Sequence, residues 1–182
     1  MRNIGEMLRA RALETPDRGG VRYLDVRLTW KDVYLQARTL GNKLAQAHIG
    51  KGDVVGIYLP HSLGQVIGIF AAALQDAVFT VINPQLAPDQ VKHQVQDASM
   101  KAVIGAPELL APLEEFFQQR TMHVERIEHI GLAKAELAAD IDLRSSVTTN
   151  IPADVSNYIY TSGSTGLAKG VVVPHRTLLD GA

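Results

Sequence analysis

Cysteine is missing from all 182 residues of the chain. Its absence excludes disulfide bonds, thiolate metal ligands and a thiol nucleophile. Any chemistry must therefore come from oxygen and nitrogen groups. A chain without cysteine also fits a reducing compartment.

Long apolar runs are scarce as well. The N-terminal segment carries charges at Arg2, Glu6 and Arg9, so it lacks the uninterrupted apolar stretch of a secretion signal. The longest apolar run, at 66–74, is shorter than the roughly 20 residues that a bilayer-spanning helix requires. These absences predict a cytoplasmic protein without a membrane span.

Neither sign of charge is in excess. Lysine and arginine total 18 against 19 for aspartate and glutamate, so the net charge is only -1. A surface of this kind has no strong positive field, and a nucleic-acid partner is therefore not expected. Hydrophobic residues make up 46% of the chain, which is ordinary for a globular domain with one sizeable core.

Strand and helix patterns alternate along most of the chain. Apolar, β-branched runs predict buried strands at 54–59, 78–82 and 102–104. Amphipathic stretches predict helices at 4–13, 30–47, 63–74, 88–97 and 107–119, and short alternations predict a hairpin at 21–29. Because strand–helix alternation implies crossover connections, we predict an α/β fold, a doubly wound and mostly parallel sheet with flanking helices.

The segment from 121 to 150 gives weaker signals. Val124, Ile127 and Ile130 fit a strand, and 132–139 fits a short helix. The composition of 145–150 is that of an exposed linker.

The histidines show no paired metal-ligand spacing, so surface or capping positions are expected for His48, His61, His93, His123, His129 and His175. His175 has a second possible role. It closely follows the strand predicted at 171–173, so its side chain could support the neighbouring loop.

One loop carries a concentration of anion-binding groups. The sequence YIYTSGSTGLAKGVVVPH, residues 158–175, places it between strands predicted at 158–160 and 171–173. Its glycines let backbone amides approach an anion closely, its hydroxyl side chains add donors, and Lys169 adds a positive charge. A flexible surface loop is the alternative, because glycine, serine and threonine are common in all loops.

The loop does not fit a Walker A motif. That motif requires G-x-x-x-x-G-K-[ST] leading into a helix. Counting from Gly163, Ala168 occupies the place of the second glycine and Gly170 follows Lys169. A strand is predicted after the loop, so we exclude a P-loop NTPase.

The string YTSGSTGLAKG resembles the signature loop of the adenylate-forming superfamily. This superfamily includes acyl-CoA synthetases, the adenylation domains of nonribosomal peptide synthetases, and luciferases. Segments 28–33, 50–60 and 74–84 are also similar to early segments of the family. The chain departs from the family pattern at Asp32, where glutamate is usual, and at Ala168, where proline is usual.

The resemblance implies a chemistry for the loop. In the family it holds the β- and γ-phosphates of ATP while a substrate carboxylate attacks the α-phosphate, giving an acyl-adenylate and pyrophosphate. The phosphate-handling candidates are then Thr161, Ser162, Gly163, Ser164, Thr165, Gly166, Lys169 and Gly170. The implied ligands are ATP and a carboxylic or amino acid, with Mg²⁺ bound by a residue outside this chain. CoA or the phosphopantetheine of a carrier protein is the implied acceptor.

The resemblance covers only part of a family member. Residues 1–182 are therefore expected to form an incomplete N-terminal AMP-binding domain that ends just after the loop, without the mobile C-terminal domain. The string VVVPHRTLL slightly favours amino-acid adenylation, whereas 51–53, 59–60 and 83–84 favour acyl-CoA ligation. A non-catalytic nucleotide-binding remnant and association with a complementary chain remain alternatives. We expect the chain alone to make no adenylate.

Overall fold

The computed structural model describes residues 1–132, 137, 141–142, 148–161 and 168–181. The helices are α1 (Ile4–Glu14), α2 (Trp30–Gln46), α3 (Leu63–Leu74), α4 (Pro88–Asp97), α5 (Pro107–Leu110), α6 (Glu114–Gln119) and α7 (His175–Asp180), with a 3₁₀ turn at Ala111–Leu113. The strands are β1 (Gly19–Tyr23), β2 (Val26–Thr29), β3 (Val54–Tyr58), β4 (Val78–Val81), β5 (Ala102–Gly105), β6 (His123–Arg126), β7 (Val155–Thr161) and β8 (Lys169–Pro174).

The main sheet has the strand order β6-β5-β3-β4-β7-β8. All neighbouring strands in it are parallel except β7 and β8, which form an antiparallel hairpin. β1 and β2 form a separate small hairpin. The predicted doubly wound, mostly parallel sheet is confirmed.

Helices cover both faces of this sheet. In β3 every position is buried, with Val55 and Ile57 in the core of one face and Val54 and Tyr58 in the core of the other. A strand buried on both sides must be apolar at successive positions, which explains why the run at 54–59 does not alternate. None of the helices in the described ranges combines the length and hydrophobicity needed to cross a lipid bilayer.

Two predicted helix starts are set by side-chain caps. Thr29 Oγ1 accepts from the backbone N–H of Asp32 at 3.1 Å, and Asp32 Oδ2 accepts from the N–H of Thr29 at 2.9 Å, which completes a capping box at α2. Ser62 Oγ accepts from the N–H of Gln65 at 3.2 Å and caps α3. These bonds satisfy amide groups that have no partner inside the helix.

The structure corrects three sequence expectations. The helix predicted at 107–119 is divided into α5, the 3₁₀ turn and α6, because Pro112 has no N–H and its ring disfavours a continuous helix. The strand in the following segment is β6, which includes Val124 but not Ile127 or Ile130. The linker predicted as exposed contains Asn150, which is only 1% exposed. The helix expected at 132–139 lies almost entirely outside the described residues.

Candidate functional site

The β7–β8 hairpin frames the candidate loop. Thr161 and Lys169 are directly opposite each other at its end, and Tyr160 faces Gly170 in the next pair. Seven residues, 162–168, connect the two strands beyond that last pair. The predicted strand–loop–strand setting, with 171–173 in a strand, is confirmed.

The two ends of the loop, Thr161 and Lys169, lie at the edge of the sheet where ligands bind in this class of fold. β7 is parallel to β4, with Phe79 opposite Asn157 and Thr80 opposite Tyr158. The carboxyl end of β7 therefore lies on the same edge as the carboxyl ends of β3, β4, β5 and β6. In open α/β sheets, ligands bind in the crevice outside these carboxyl ends.

The structure describes three of the eight predicted phosphate-handling residues. Thr161 and Lys169 are exposed at the start and end of the loop, and Gly170 follows on β8. Among the described carboxylates, none lies within ion-pair distance of the Lys169 amine. The other five predicted residues lie outside the described residues: Ser162, Gly163, Ser164, Thr165 and Gly166.

Gly170 has a packing role that the sequence did not indicate. It lies in extended β8, whereas the positive-φ glycines of the described ranges are Gly52 and Gly131. A Cβ at Gly170 would lie 3.3 Å from Cζ of the Tyr160 ring. The backbone at Gly170 is therefore extended, and the missing side chain makes room for the tyrosine.

Tyr160 anchors the hairpin to the body of the fold. Its hydroxyl donates to Asp97 Oδ2 at 2.6 Å, at the end of α4. Partial burial, together with this hydrogen bond to Asp97, raises the pKa of Tyr160 above its ordinary value. The phenol therefore remains protonated and keeps its role as donor.

A buried polar cluster holds the opposite end of the hairpin. Ser156 Oγ donates to the carbonyl oxygen of Val173 at 2.9 Å. His175, fully buried at the start of α7, has Nε2 3.0 Å from Nδ2 of Asn150. Because the Asn150 amide donates, Nε2 accepts and the ring proton is on Nδ1, which has no hydrogen-bond partner in the described part of the chain.

This geometry overturns the surface or capping position expected for His175 and agrees with its alternative role as support. The link to Asn150 connects the start of α7, which directly follows β8, to the segment that precedes β7. Lys51 extends the link through its ion pair with Asp154 at 3.0 Å. The hairpin is thus fixed at its base, and the candidate loop lies at its other end.

A cleft lies beside the hairpin, near the amino ends of β3 and β5. It has a volume of about 560 Å³ and is lined by Tyr158, Tyr160, Gly170 and Val172 together with residues at the start of β3 and before β5. Its charged groups already have partners, since Lys101 pairs with Asp53 at 2.5 Å and Asp97 binds Tyr160. We therefore assign the candidate site to the loop.

Residues 8–182 match the family described as AMP-binding enzyme. The chain belongs to this family. The match includes the whole candidate loop and both strands that frame it. Described residues of this AMP-binding chain contain no group of three or more histidine, aspartate or glutamate side chains placed to hold a metal ion.

Curated relatives of the AMP-binding chain are large synthases. It is 26% identical to surfactin synthase subunit 2 of Bacillus subtilis over 176 residues, which is 97% of this chain and 5% of that protein. It is 27% identical to tyrocidine synthase 3 of Brevibacillus parabrevis, with 97% and 3% covered. For zwittermicin A synthase ZmaJ of Bacillus cereus the identity is 25%, with 97% and 32% covered. The chain thus spans under a third of each of these relatives.

Solved structures show the same fold. The N-terminal domain of FACL13 from Mycobacterium tuberculosis is 28% identical, with a TM-score of 0.81 over 98% of this chain and 46% of that one. VinN with 3-methylaspartate has a TM-score of 0.77 at 20% identity, with 98% and 50% covered. The anthranilate CoA ligase AuaEII with anthranoyl-AMP has a TM-score of 0.81 at 21% identity, with 96% and 35% covered. The fold is that of the N-terminal domain of adenylate-forming enzymes.

Proposed function

We propose that this chain supplies the triphosphate-binding part of an ATP-dependent, AMP-forming enzyme that activates carboxylates. The observation that supports this most is the hairpin frame, which fixes Thr161 and Lys169 at the ends of a loop rich in glycine and hydroxyl residues. Both ends of that loop are at the carboxyl edge of the sheet, and this position supports the proposal because ligands bind outside the carboxyl ends of strands in open α/β sheets.

In the proposed reaction the loop would hold the leaving group, which is pyrophosphate. A carboxylate oxygen of the substrate attacks the α-phosphorus, the bond from that phosphorus to the bridging oxygen breaks, and pyrophosphate departs with the bond electrons. Donors that bind the β- and γ-phosphates stabilise the charge that develops there. The proposed donors are the amides and hydroxyls of 161–166, with Lys169 and the amide of Gly170.

The usual energies of hydrogen bonds and ion pairs support a triphosphate-binding role for such a loop. A hydrogen bond to a charged group contributes about 1.5–3 kcal/mol. A lysine at 4 Å from a phosphate oxygen contributes roughly 4 kcal/mol before desolvation, at an effective dielectric constant near 20. Two or three such bonds and Lys169 would hold a triphosphate while still allowing pyrophosphate to leave.

Magnesium would bind together with the nucleotide. A divalent ion would neutralise charge on the phosphates during transfer. The described residues do not provide a ligand set of their own for it. As the family resemblance implies, we propose that the acidic ligand for Mg²⁺ lies outside this chain, and we derive no step from the ion.

For the substrate we propose an amino acid, with an acyl group as the second candidate. The names of the surfactin and tyrocidine synthases and the 3-methylaspartate bound to VinN support an amino acid. The anthranilate CoA ligase AuaEII supports the alternative. The acceptor would be carrier-protein phosphopantetheine in the first case and CoA in the second.

We propose that the isolated chain binds the triphosphate weakly and forms no adenylate, because it covers only 46% of the FACL13 N-terminal domain. Calorimetric titration of the chain with ATP, pyrophosphate and AMP tests the binding proposal. We expect ATP and pyrophosphate to bind at least about tenfold more tightly than AMP, a difference of about 1.4 kcal/mol. Equal affinity for ATP and AMP would contradict it.

A further inference from the structure

Asp76 is the centre of a polar cluster at the turn between α3 and β4. Its Oδ1 accepts from Nδ2 of Asn3 at 3.0 Å and from the hydroxyl of Thr148. Its Oδ2 accepts from the N–H of Thr149 at 2.7 Å and from the hydroxyl of Thr149 at 2.9 Å. A carboxylate offers about four acceptor sites, so these bonds occupy the whole group.

The backbone of the turn does not itself require a carboxylate. Asp76 has a φ of 58°, in the left-handed region that glycine adopts most easily and that asparagine also tolerates. Glycine has no acceptor side chain, and asparagine has a single acceptor oxygen. The bonds to Thr148 and Thr149 therefore account for an aspartate at this position, whereas the shape of the turn does not.

Thr148 extends the contact towards the β7–β8 hairpin. Its hydroxyl donates to Asp76 and accepts from the N–H of Asn150 at 3.1 Å. The buried side chain of Asn150 in turn donates to Nε2 of His175. A continuous chain of hydrogen bonds thus joins the Asp76 carboxylate to the residue that directly follows β8.

Two backbone hydrogen bonds close the same end of the hairpin. The N–H of His175 donates to the carbonyl oxygen of Asp154 at 3.0 Å, and the N–H of Arg176 donates to that of Pro152 at 2.9 Å. These bonds join the start of α7 to the segment that leads into β7. Because Asn150 lies immediately before that segment, the backbone that Asp76 holds leads directly into the base of the hairpin.

The hairpin depends on its base because its pairing with the rest of the sheet is short. In the described part of the sheet, the register of β7 with β4 is limited to Asn157 and Tyr158. Near the loop, the hydroxyl of Tyr160 provides one fixed point. A second fixed point at the base determines the direction of the hairpin, and therefore where the two ends of the loop lie.

We propose that Asp76 is a positioning residue for the candidate loop. Its carboxylate fixes the backbone of 148–150, Asn150 then holds His175, and the base of the hairpin is kept where both ends of the loop lie at the carboxyl edge of the sheet. Asp76 would act through these groups and not by contact with the nucleotide. Its effect on ATP binding rests on the proposed function, whereas its effect on the hairpin does not.

Asp76→Asn and Thr148→Val test the two ends of this link. The first keeps the shape of the side chain but replaces one acceptor oxygen with an NH₂ group, and the second removes the connecting hydroxyl while the Asp76 charge stays in place. NMR spectra of the folded chain without nucleotide are the first readout. In both variants we expect the Nε2 signal of His175 to move towards that of a ring nitrogen without a hydrogen bond, and the amide signals of Thr161 and Lys169 to shift.

Affinity for ATP is the second readout. Calorimetric titration is expected to show at least about threefold weaker binding in both variants. Thr148→Ser keeps the hydroxyl and is expected to restore both readouts to those of the unmodified chain. Asp25→Asn is the matched control, because it removes a carboxylate from the exposed turn of the separate β1–β2 hairpin and should change neither readout.

Circular dichroism establishes that each variant is folded, and if Asp76→Asn does not fold, Thr148→Val decides by the same measurements. Unchanged signals of His175, Thr161 and Lys169 in the folded variants would overturn the proposal, as would an ATP affinity that stays the same when those signals shift. Failure of the unmodified chain to bind ATP would contradict the proposed function instead. The NMR readout needs no nucleotide, so it would still decide whether Asp76 positions the hairpin.

Discussion

Replacing Lys169 and Gly166 together with alanine is expected to weaken ATP binding by at least about tenfold, equivalent to about 1.4 kcal/mol. The lysine change removes the positive charge at the end of the loop, and the glycine change adds a methyl group where a backbone amide should approach a phosphate. Affinity for AMP is expected to change little, because the loop is proposed to contact the β- and γ-phosphates. Calorimetric titration with both nucleotides measures the difference.

The matched control is the double variant Lys92→Ala, Gly50→Ala. Lys92 lies on α4 and pairs with Asp89, and a Cβ at Gly50 would have nothing within 4 Å. This variant also loses one lysine and one glycine, but at positions outside the loop and outside the two strands that frame it. If both double variants lost affinity equally, or if the loop variant bound ATP normally, the assignment of the triphosphate to this loop would be wrong.

The stability of the chain is expected to fall as the pH drops below about 6.5, the ordinary pKa of histidine. Burial lowers the pKa of His175, although the nearby carboxylates of Asp154 and Asp76 partly oppose the shift. The unfolded chain therefore binds a proton at a higher pH than the folded chain does. Above that ordinary pKa the contribution to stability is complete, and it decreases as the pH falls towards the folded-state pKa.

Asp154 titrates in a separate pH range. The backbone N–H of Ile151 and then the hydrogen bond from Lys51 hold the pKa of Asp154 below its usual range. Its contribution is therefore lost only in more acidic solution, below the ordinary aspartate pKa of 3.8. Urea unfolding between about pH 7.5 and 5.5 reports on His175 without interference from Asp154.

Two variants separate the charge of His175 from its packing. His175→Gln keeps an acceptor for the Asn150 amide but does not titrate, so the pH dependence between about 7.5 and 5.5 should become smaller. His175→Ala leaves a cavity and an unpaired Asn150 amide, and should cost about 2–4 kcal/mol at neutral pH. His48→Asn, at an exposed left-handed position, serves as the control. An unchanged pH dependence in the glutamine variant would show that His175 is not the responsible group.

Local patterns in the sequence were sufficient to predict the central sheet. β3 and β5 are buried at every position, so their apolar runs are continuous and clear. Thr29 and Ser62 cap helices because their partners are only three residues away. Such interactions depend on neighbouring residues, and a single sequence reveals them.

Contacts between distant residues were not predictable in the same way. His175 is buried against Asn150, 25 residues earlier, and Tyr160 binds Asp97, 63 residues earlier. Periodicity gives no information about such pairs, because they depend on the order of strands in the sheet. The position of β8 at the end of the described sheet likewise becomes visible only once that order is known.

The candidate site depends both on a local sequence motif and on contacts between distant residues. The resemblance identified eight residues, and the structure fixes the frame that holds Thr161, Lys169 and Gly170. It also gives Gly170 a packing role against Tyr160 that the loop sequence could not indicate. The phosphate-binding role of all eight residues remains a proposal.

The most direct measurement is a titration followed by amide chemical shifts in the 19.8 kDa chain. With ATP and with pyrophosphate, we predict that the largest changes occur at the amides of residues 161–170, and that AMP leaves those amides nearly unchanged. Changes confined to the cleft near Lys101, or identical changes with AMP, would contradict the proposal that this loop binds the triphosphate.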